Sequence, residues 1–175
     1  DLILRAKEAG LHTEMIPGIS ATTLAITLSG LQSYRFGRQV TLPFPYRDYL
    51  PVSPLRYILD NKSRNLHTLV LLDLDPTGLG VEPPVHMSPG EAGEILLMMV
   101  EKYEDEDSSK ISLGESVTNW PVIVLSDLGT ENCRVCSTSI GKLSDLSGGR
   151  IHCLILPSSM DDLERVSFDE MHVGD

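Results

Sequence analysis

A chain of 175 residues with 41% hydrophobic content is long enough to bury a core of its own. Its 25 acidic residues outnumber 14 Lys plus Arg, and the resulting net charge of −11 would repel a phosphate backbone, so nucleic acid is not an expected partner. The longest apolar runs, "LVLLDL" and "CLILP", are too short to cross a bilayer, no charged-then-apolar leader opens the chain, and an odd set of three cysteines offers no disulfide framework. The expectation is a globular protein of a reducing cytoplasm, with no membrane contact.

Residues 2–9 carry the spacing of an amphipathic helix that Gly10 closes, and "LHTEMI" alternates as a strand that Pro17-Gly18 ends. The opening "DLILRAKEAG" has neither a Met nor a helix cap before its first apolar residue, as though an element had been cut into; a preceding N-terminal region is expected. Ser20 is placed to cap a helix over 21–29, with Gly30 as its stop. "RQVTLPF" returns to period two, and the Pro- and Tyr-rich "PFPYRDYLPVSP" reads as a surface loop. Ser53 and Pro54 then supply cap and first-turn residue for a helix through Leu55, Ile58 and Leu59.

"HTLVLLDLD" is almost continuously apolar, as a central strand covered on both faces would be. In "MSPGEAGEILLMMVEKYEDED", Ser88 and Glu91 have the capping-box spacing, and Ile95, Leu96 and Met99 form a buried helical stripe. The acidic run Glu104 to Asp107 reads as a solvated helix end that merges into a Ser-rich linker through about residue 118. "WPVIVLSDLG" reads as a second buried strand, "CRVCSTSI" as an alternating one and "RIHCLILP" as a third apolar strand after the Gly148-Gly149 turn. Short helices are expected at 140–146 and 159–165, and the closing "SFDEMHVGD" as a loose tail.

No P-loop, dinucleotide fingerprint, zinc-protease helix or nucleophile elbow occurs. Cys133 and Cys136 form a lone C-x-x-C on an alternating strand, where odd spacing places the thiols on opposite faces, and no second pair exists to complete a zinc site. No metal is therefore expected. His67, at the start of a strand, reads as a histidine satisfied by a backbone carbonyl. His152 lies inside an apolar strand where an imidazole needs a partner. Asp73, Asp75 and Asp127 each fall at the C-terminal end of an apolar strand, the edge where open α/β sheets place ligands.

"IPGIS", followed by the small, Thr-rich helix start, resembles the Pro-Gly-hydrophobic-Ser junction between the two domains of the tetrapyrrole methylase family, whose members transfer methyl groups from S-adenosylmethionine. "SGLQSYRFG", "LHTLVLLDLD", "EPPVHMSPGEAGEILL", "WPVIVLSDLG" and "IHCLILP" follow in the family's order from residue 1 to about 165, and they favour the members that methylate a modified histidine of translation elongation factor 2. The resemblance implies a two-domain α/β architecture, of which this chain would carry the end of the first domain (1–19), a linking helix and loop (20–36), a second α/β domain with a mixed sheet flanked by helices (37–165) and a tail (166–175). A Gly-rich first loop and a Gly-Asp-Pro loop would belong to the region before Asp1.

Carried over residue by residue, the resemblance implies contacts to S-adenosylmethionine at Ser20, Ala21, Leu72, Leu128 and His152, and a homodimer. The small residues and N–H groups at the start of the 21–29 helix suit close approach of a ligand, and Thr22 and Thr23 leave room where leucines would fill it. Asp73, beside Leu72, is the expected catalytic helper, orienting the acceptor amine or offsetting its charge. The chain departs from the family in having Asp127 and Asp75 where a basic residue is common, and no His near Asp161; these positions bear on the protein substrate. The alternatives are a relative acting on a tetrapyrrole or ribosomal RNA, or a non-enzymatic α/β interaction module.

Overall fold

Near-continuous apolar strands need cover on both faces, and the protein provides it. In a computed structural model describing residues 1–75, 85–106 and 114–172, five strands form one mixed sheet. They are β1 (Val40–Leu42), β2 (Thr68–Leu72), β3 (Pro121–Ser126), β4 (Arg134–Ser139) and β5 (His152–Leu156), in the order β1-β2-β5-β3-β4. β1 and β2 are parallel, and β5 runs antiparallel to both of its neighbours, β2 and β3. The C-terminal ends of β2 and β3 therefore meet the N-terminal end of β5 along one edge of the sheet.

Alternate residues of the three central strands feed two separate cores. Val70, Leu72, Val122, Val124, Leu154 and Leu156 face α3 (Ser53–Ser63) and α4 (Pro89–Asp105), with Leu55, Ile58, Ala92, Ile95, Leu96 and Met99 packed onto them. Leu69, Ile123, Leu125, Cys153 and Ile155 face the opposite side, where Ala25 of α2 (Ala21–Leu28), Leu31 and Phe168 of α6 (Asp162–Glu170) cover them. A row across the sheet, Val40–Val70–Leu154–Val124–Cys136, is in register on one face.

α4 begins where its sequence dictates: Ser88 Oγ accepts from Glu91 N–H at 3.2 Å while Glu91 Oε2 accepts from Ser88 N–H at 2.8 Å. The 3-10 segment Ile140–Asp145 and the left-handed glycines Gly10 and Gly30 also fall where expected. α3 starts at Ser53 itself, with Val52 as its cap position.

Several expectations are corrected. "LHTEMI" forms no strand: residues 11–20 belong to no element, and Leu11, Met15, Ile16 and Ile19 are exposed, because alternation alone gives backbone N–H and C=O groups no partner and none of the described strands lies beside them. α1 (Leu2–Glu8) buries no residue. The stretch expected as linker through residue 118 ends in a short helix, α5 (Gly114–Thr118).

The helix expected at 159–165 is α6, displaced to Asp162–Glu170, so that the first four residues of the expected loose tail "SFDEMHVGD" are helical. It holds because Asp161 and Glu164 build a second capping box, Phe168 is buried, and Ser137 of edge strand β4 donates Oγ–H to Phe168 O and N–H to Met171 O. The linker stretch 107–113, Glu82, Pro83 and Pro84 of "EPPVHMS" and the last three residues of the tail lie outside the described residues.

Candidate functional site

The strand edge where β2, β3 and β5 converge, with the first residue of α2 lying over it, encloses a cavity of about 420 Å3. Leu71, Leu72, Leu125, Ile151 and Cys153 give it an apolar wall, Ala21 and Leu128 close it from the side, and Asp127, Thr130 and His152 form its polar rim. A cavity of this size, mostly apolar with a few placed polar groups, suits a nucleoside-sized ligand.

Ala21, Leu72, Leu128 and His152, singled out from sequence at widely separated positions, all line it. Ser20 does not. It holds the cap position of α2, but its hydroxyl pairs with Thr22 Oγ1 at 2.8 Å and accepts no helix N–H. The threonines of α2 do not line the cavity either; Thr27 turns its hydroxyl back onto Thr23 O. The small residue that matters for packing is Ala25, fully buried against the sheet.

Asp73 also stands off the cavity. Its Oδ1 accepts from Leu74 N–H (2.8 Å) and Asp75 N–H (3.2 Å), and its Oδ2 from Phe44 N–H (3.4 Å), so the carboxylate fastens the turn that leaves β2.

His152 is buried, with Nδ1 2.7 Å from Ser126 Oγ, its cross-strand partner in the β3–β5 register. Burial holds its pKa below the ordinary histidine value, with Arg134 and His86 acting the same way against the pull of Asp127, so the ring is neutral at pH 7. Asp127 takes a left-handed φ of 52°, which turns its carboxylate onto the backbone: Oδ1 accepts from Arg150 N–H and Ile151 N–H, both at 3.0 Å, while Asp127 N–H donates to Ile151 O at 2.8 Å. Those amide donors, first Ile151 and then Arg150, pull its pKa below the usual carboxylate range. Asp127 thereby pins the loop ahead of β5 to the end of β3 and sets the rim of the cavity.

Gly149 lies under this rim with φ 84°, and a Cβ there would sit 2.8 Å from His152 Cε1 and 3.0 Å from Ser126 Cβ. Ser126, Leu125, Ile151 and Cys153 were not read from the sequence as site residues. Their positions beside Asp127 and His152 were the available signal, and only the antiparallel pairing of β5 with β3 brings the two segments together.

His67 is a different kind of histidine. It is wholly buried; Nδ1 accepts Ser158 N–H at 3.0 Å, so Nε2 carries the proton and donates to Glu164 Oε1 at 3.0 Å. The backbone-carbonyl partner expected from sequence is replaced by an amide and a carboxylate. Glu164, also wholly buried, further accepts from Gln32 N–H and Asp161 N–H at 3.0 Å each and from Arg35 Nη1 at 2.5 Å. Burial raises the pKa of Glu164, but the amides of Gln32 and Asp161 together with His67 outweigh it, and the net shift is downward. This network ties α6 to the loop after α2 and to the start of β2.

The thiols lend no ligand set: Cys136 and Cys153 are pushed upward by burial, Cys153 to about 12, and among the described residues no group of three metal-ligating side chains gathers. No described helix is long and apolar enough to cross a membrane.

The mixed sheet, covered on both faces and opening a cavity at its strand ends, defines an α/β domain of the kind that takes a small ligand at the sheet edge. No family model matches the chain. It is 32% identical over 164 residues to a diphthine synthase of Saccharolobus solfataricus, covering 93% of this chain and 58% of that protein. It is 36% identical over 172 residues to a diphthine synthase of Natronomonas pharaonis, covering 94% and 58%. Among solved structures, a putative diphthine synthase from Entamoeba histolytica superposes with a TM-score of 0.83 at 27% identity, covering 99% of this chain and 65% of that one. A conserved hypothetical protein from Aeropyrum pernix gives 0.79 at 31%, covering 95% and 55%. By sequence and by fold the chain is similar to diphthine synthases, and it spans a little under three fifths of the length of these two curated relatives.

Proposed function

We propose that the cavity at the β2–β3–β5 edge binds S-adenosylmethionine, and that the protein carrying this chain transfers its methyl group to the amine of the 3-amino-3-carboxypropyl-histidine on translation elongation factor 2, the precursor of diphthamide. The observation that carries the reading is the convergence of Ala21, Leu72, Leu128 and His152 on one cavity. The residues present suit a nucleoside: an apolar slot between Leu72, Leu125 and Leu128 for a base, and a polar rim at Asp127, Thr130 and His152 for ribose hydroxyls.

When bound, the sulfonium supplies an activated methyl, whose bond to sulfur breaks as the amine lone pair forms the new N–C bond. The acceptor brings its own nucleophile, so the reaction requires none from this chain. The chain's contribution is then placement. Holding amine and methyl in line is worth up to ~7–11 kcal/mol in favourable intramolecular cases. An apolar wall also desolvates the acceptor ammonium, lowering its pKa and releasing the free amine. Asp73 acts as a positioning residue, fixing the turn that follows Leu72. The three cysteines, all free, suit a reducing cytoplasm; the homodimer implied by the resemblance stays part of this proposal.

Calorimetric titration of S-adenosylhomocysteine into the full-length protein tests the reading. Saturable binding that Leu128→Trp abolishes is the expected result; no binding by the wild type removes it. Unchanged methylation by Asp73→Asn would remove the positioning role of Asp73 alone.

A further inference from the structure

Beyond the rim of the cavity, and sharing Asp127 with it as a wall, lies an open polar groove of about 570 Å3, walled also by Glu131, Arg134, Gly149 and Arg150. Both guanidinium groups are exposed, and neither pairs with a carboxylate among the described residues, although the chain carries 25 acids against 14 Lys plus Arg.

The reason is geometric. The acid in the groove wall, Asp127, has turned its carboxylate to the backbone N–H groups of Arg150 and Ile151, so its hydrogen bonds are committed to the loop and it forms no ion pair with either guanidinium, although the charge of Arg134 helps to hold its pKa down. Arg134 is held in place by a hydrogen bond from Nη2 to Ser147 O at 3.3 Å. It lies against Gly148, where a Cβ would come within 2.8 Å of that nitrogen. The Gly148-Gly149 turn, left-handed at both residues, is what gives the guanidinium its room. Glu131, exposed in the same groove, adds a carboxylate for which no partner is formed among the described residues.

We propose that this groove holds an α-amino-acid head group, its carboxylate clamped by Arg134 and Arg150 and its amine facing Glu131. A planar guanidinium grips a carboxylate bidentately, and two of them flanking an open floor next to a nucleoside-sized cavity fit a ligand with one end in each compartment. Resting on the methyl-transfer reading, that head group has two sources: the methionine end of the cofactor, or the aminocarboxypropyl arm of the acceptor.

The groove is tested without any nucleoside by titrating 2-aminobutyrate up to about 50 mM, a range that captures millimolar binding, and following the arginine Nε–H resonances by NMR. Assignment comes from Arg134→Gln and Arg150→Gln. Saturable shifts at both arginines are expected; the absence of shifts at both overturns the proposal, even where nucleosides bind.

The source is then read from R134Q/R150Q. If the cofactor supplies the head group, the preference for S-adenosylhomocysteine over 5′-methylthioadenosine, which lacks the amino-acid end, falls about tenfold or more. If the acceptor supplies it, that preference is unchanged and KM for the acceptor protein rises by a similar factor at constant kcat. R134K/R150K, which keeps charge but loses the fork, recovers part of either effect, and no change in either quantity counts against the groove. Failure of the wild type to bind either nucleoside sinks the methyl-transfer reading and leaves the aminobutyrate result to decide the groove.

Discussion

Replacing Glu164 with Ala strips one buried carboxylate from four donors: the Gln32 and Asp161 amides, His67 Nε2–H and Arg35 Nη1. His67 is wholly buried, so its N–H cannot turn to water, and its tautomer is fixed by Ser158 N–H on the other nitrogen. Arg35 is better placed, with 17% of its side chain exposed, and rehydrates in part. Breaking a buried charge network by removing one partner costs about 3–5 kcal/mol. Loss of the capping-box acceptor at the start of α6 falls within that range. Against a total stability of about 5–15 kcal/mol for an ordinary domain, this is a large fraction.

Urea unfolding followed through Trp120, the single tryptophan, measures the loss. Glu164→Gln retains one carbonyl acceptor but turns an NH2 toward the remaining donors, and its loss should be intermediate. A Glu164→Ala protein destabilised by less than about 1 kcal/mol would show that the network carries no net stability and that α6 is held by Phe168 alone.

Acidification should weaken the fold in two stages. His67 and His152 have folded pKa values below the ordinary histidine value of 6.5, so the unfolded chain takes up protons first and stability falls as pH drops from about 6.5 through the folded values; Glu164, lowered from the ordinary 4.5, adds a loss as pH falls through its own folded pKa. Urea midpoints that rise between pH 7.5 and 5 would contradict this sign. Gly149→Ala forces a Cβ to 2.8 Å from the His152 ring at a φ of 84°, and should cost about 1–3 kcal/mol while displacing His152, read by thermal unfolding and by histidine NMR shifts. Ala21→Leu projects bulk into the cavity from an exposed helix start, and should weaken S-adenosylhomocysteine binding tenfold or more (about 1.4 kcal/mol) with the melting temperature unchanged. Leu154→Ala, in the fully buried middle of β5, should destabilise by about 2–5 kcal/mol in urea titrations.

Much of this was legible in the chain, because it depends on neighbours in sequence. Apolar residues at every position of "LVLL", "VIVL" and "CLIL" require a strand covered on both faces, and Ser88 with Glu91 fixes the start of α4 through bonds that span three residues. Asp161 and Glu164 carried the same local signal for the start of α6, a helix expected at 159–165 whose continuation to Glu170 the polar composition concealed. "LHTEMI" shows the converse: its alternation is real, but a strand exists only where another strand satisfies its backbone, and residues 11–20 have none among the described residues.

Tertiary structure alone decided the strand order. Placing β5 between β2 and β3, antiparallel to both, brings His152 onto Ser126 and the tip of β3 onto the loop before β5, and so creates the cavity. It likewise decided that Glu164 would be buried against Gln32, 132 residues away in the chain. Local periodicity records which faces of a segment must be covered; which remote segment covers them is set by shape and by hydrogen-bond demand across the finished sheet, and that information exists only once the chain has closed on itself.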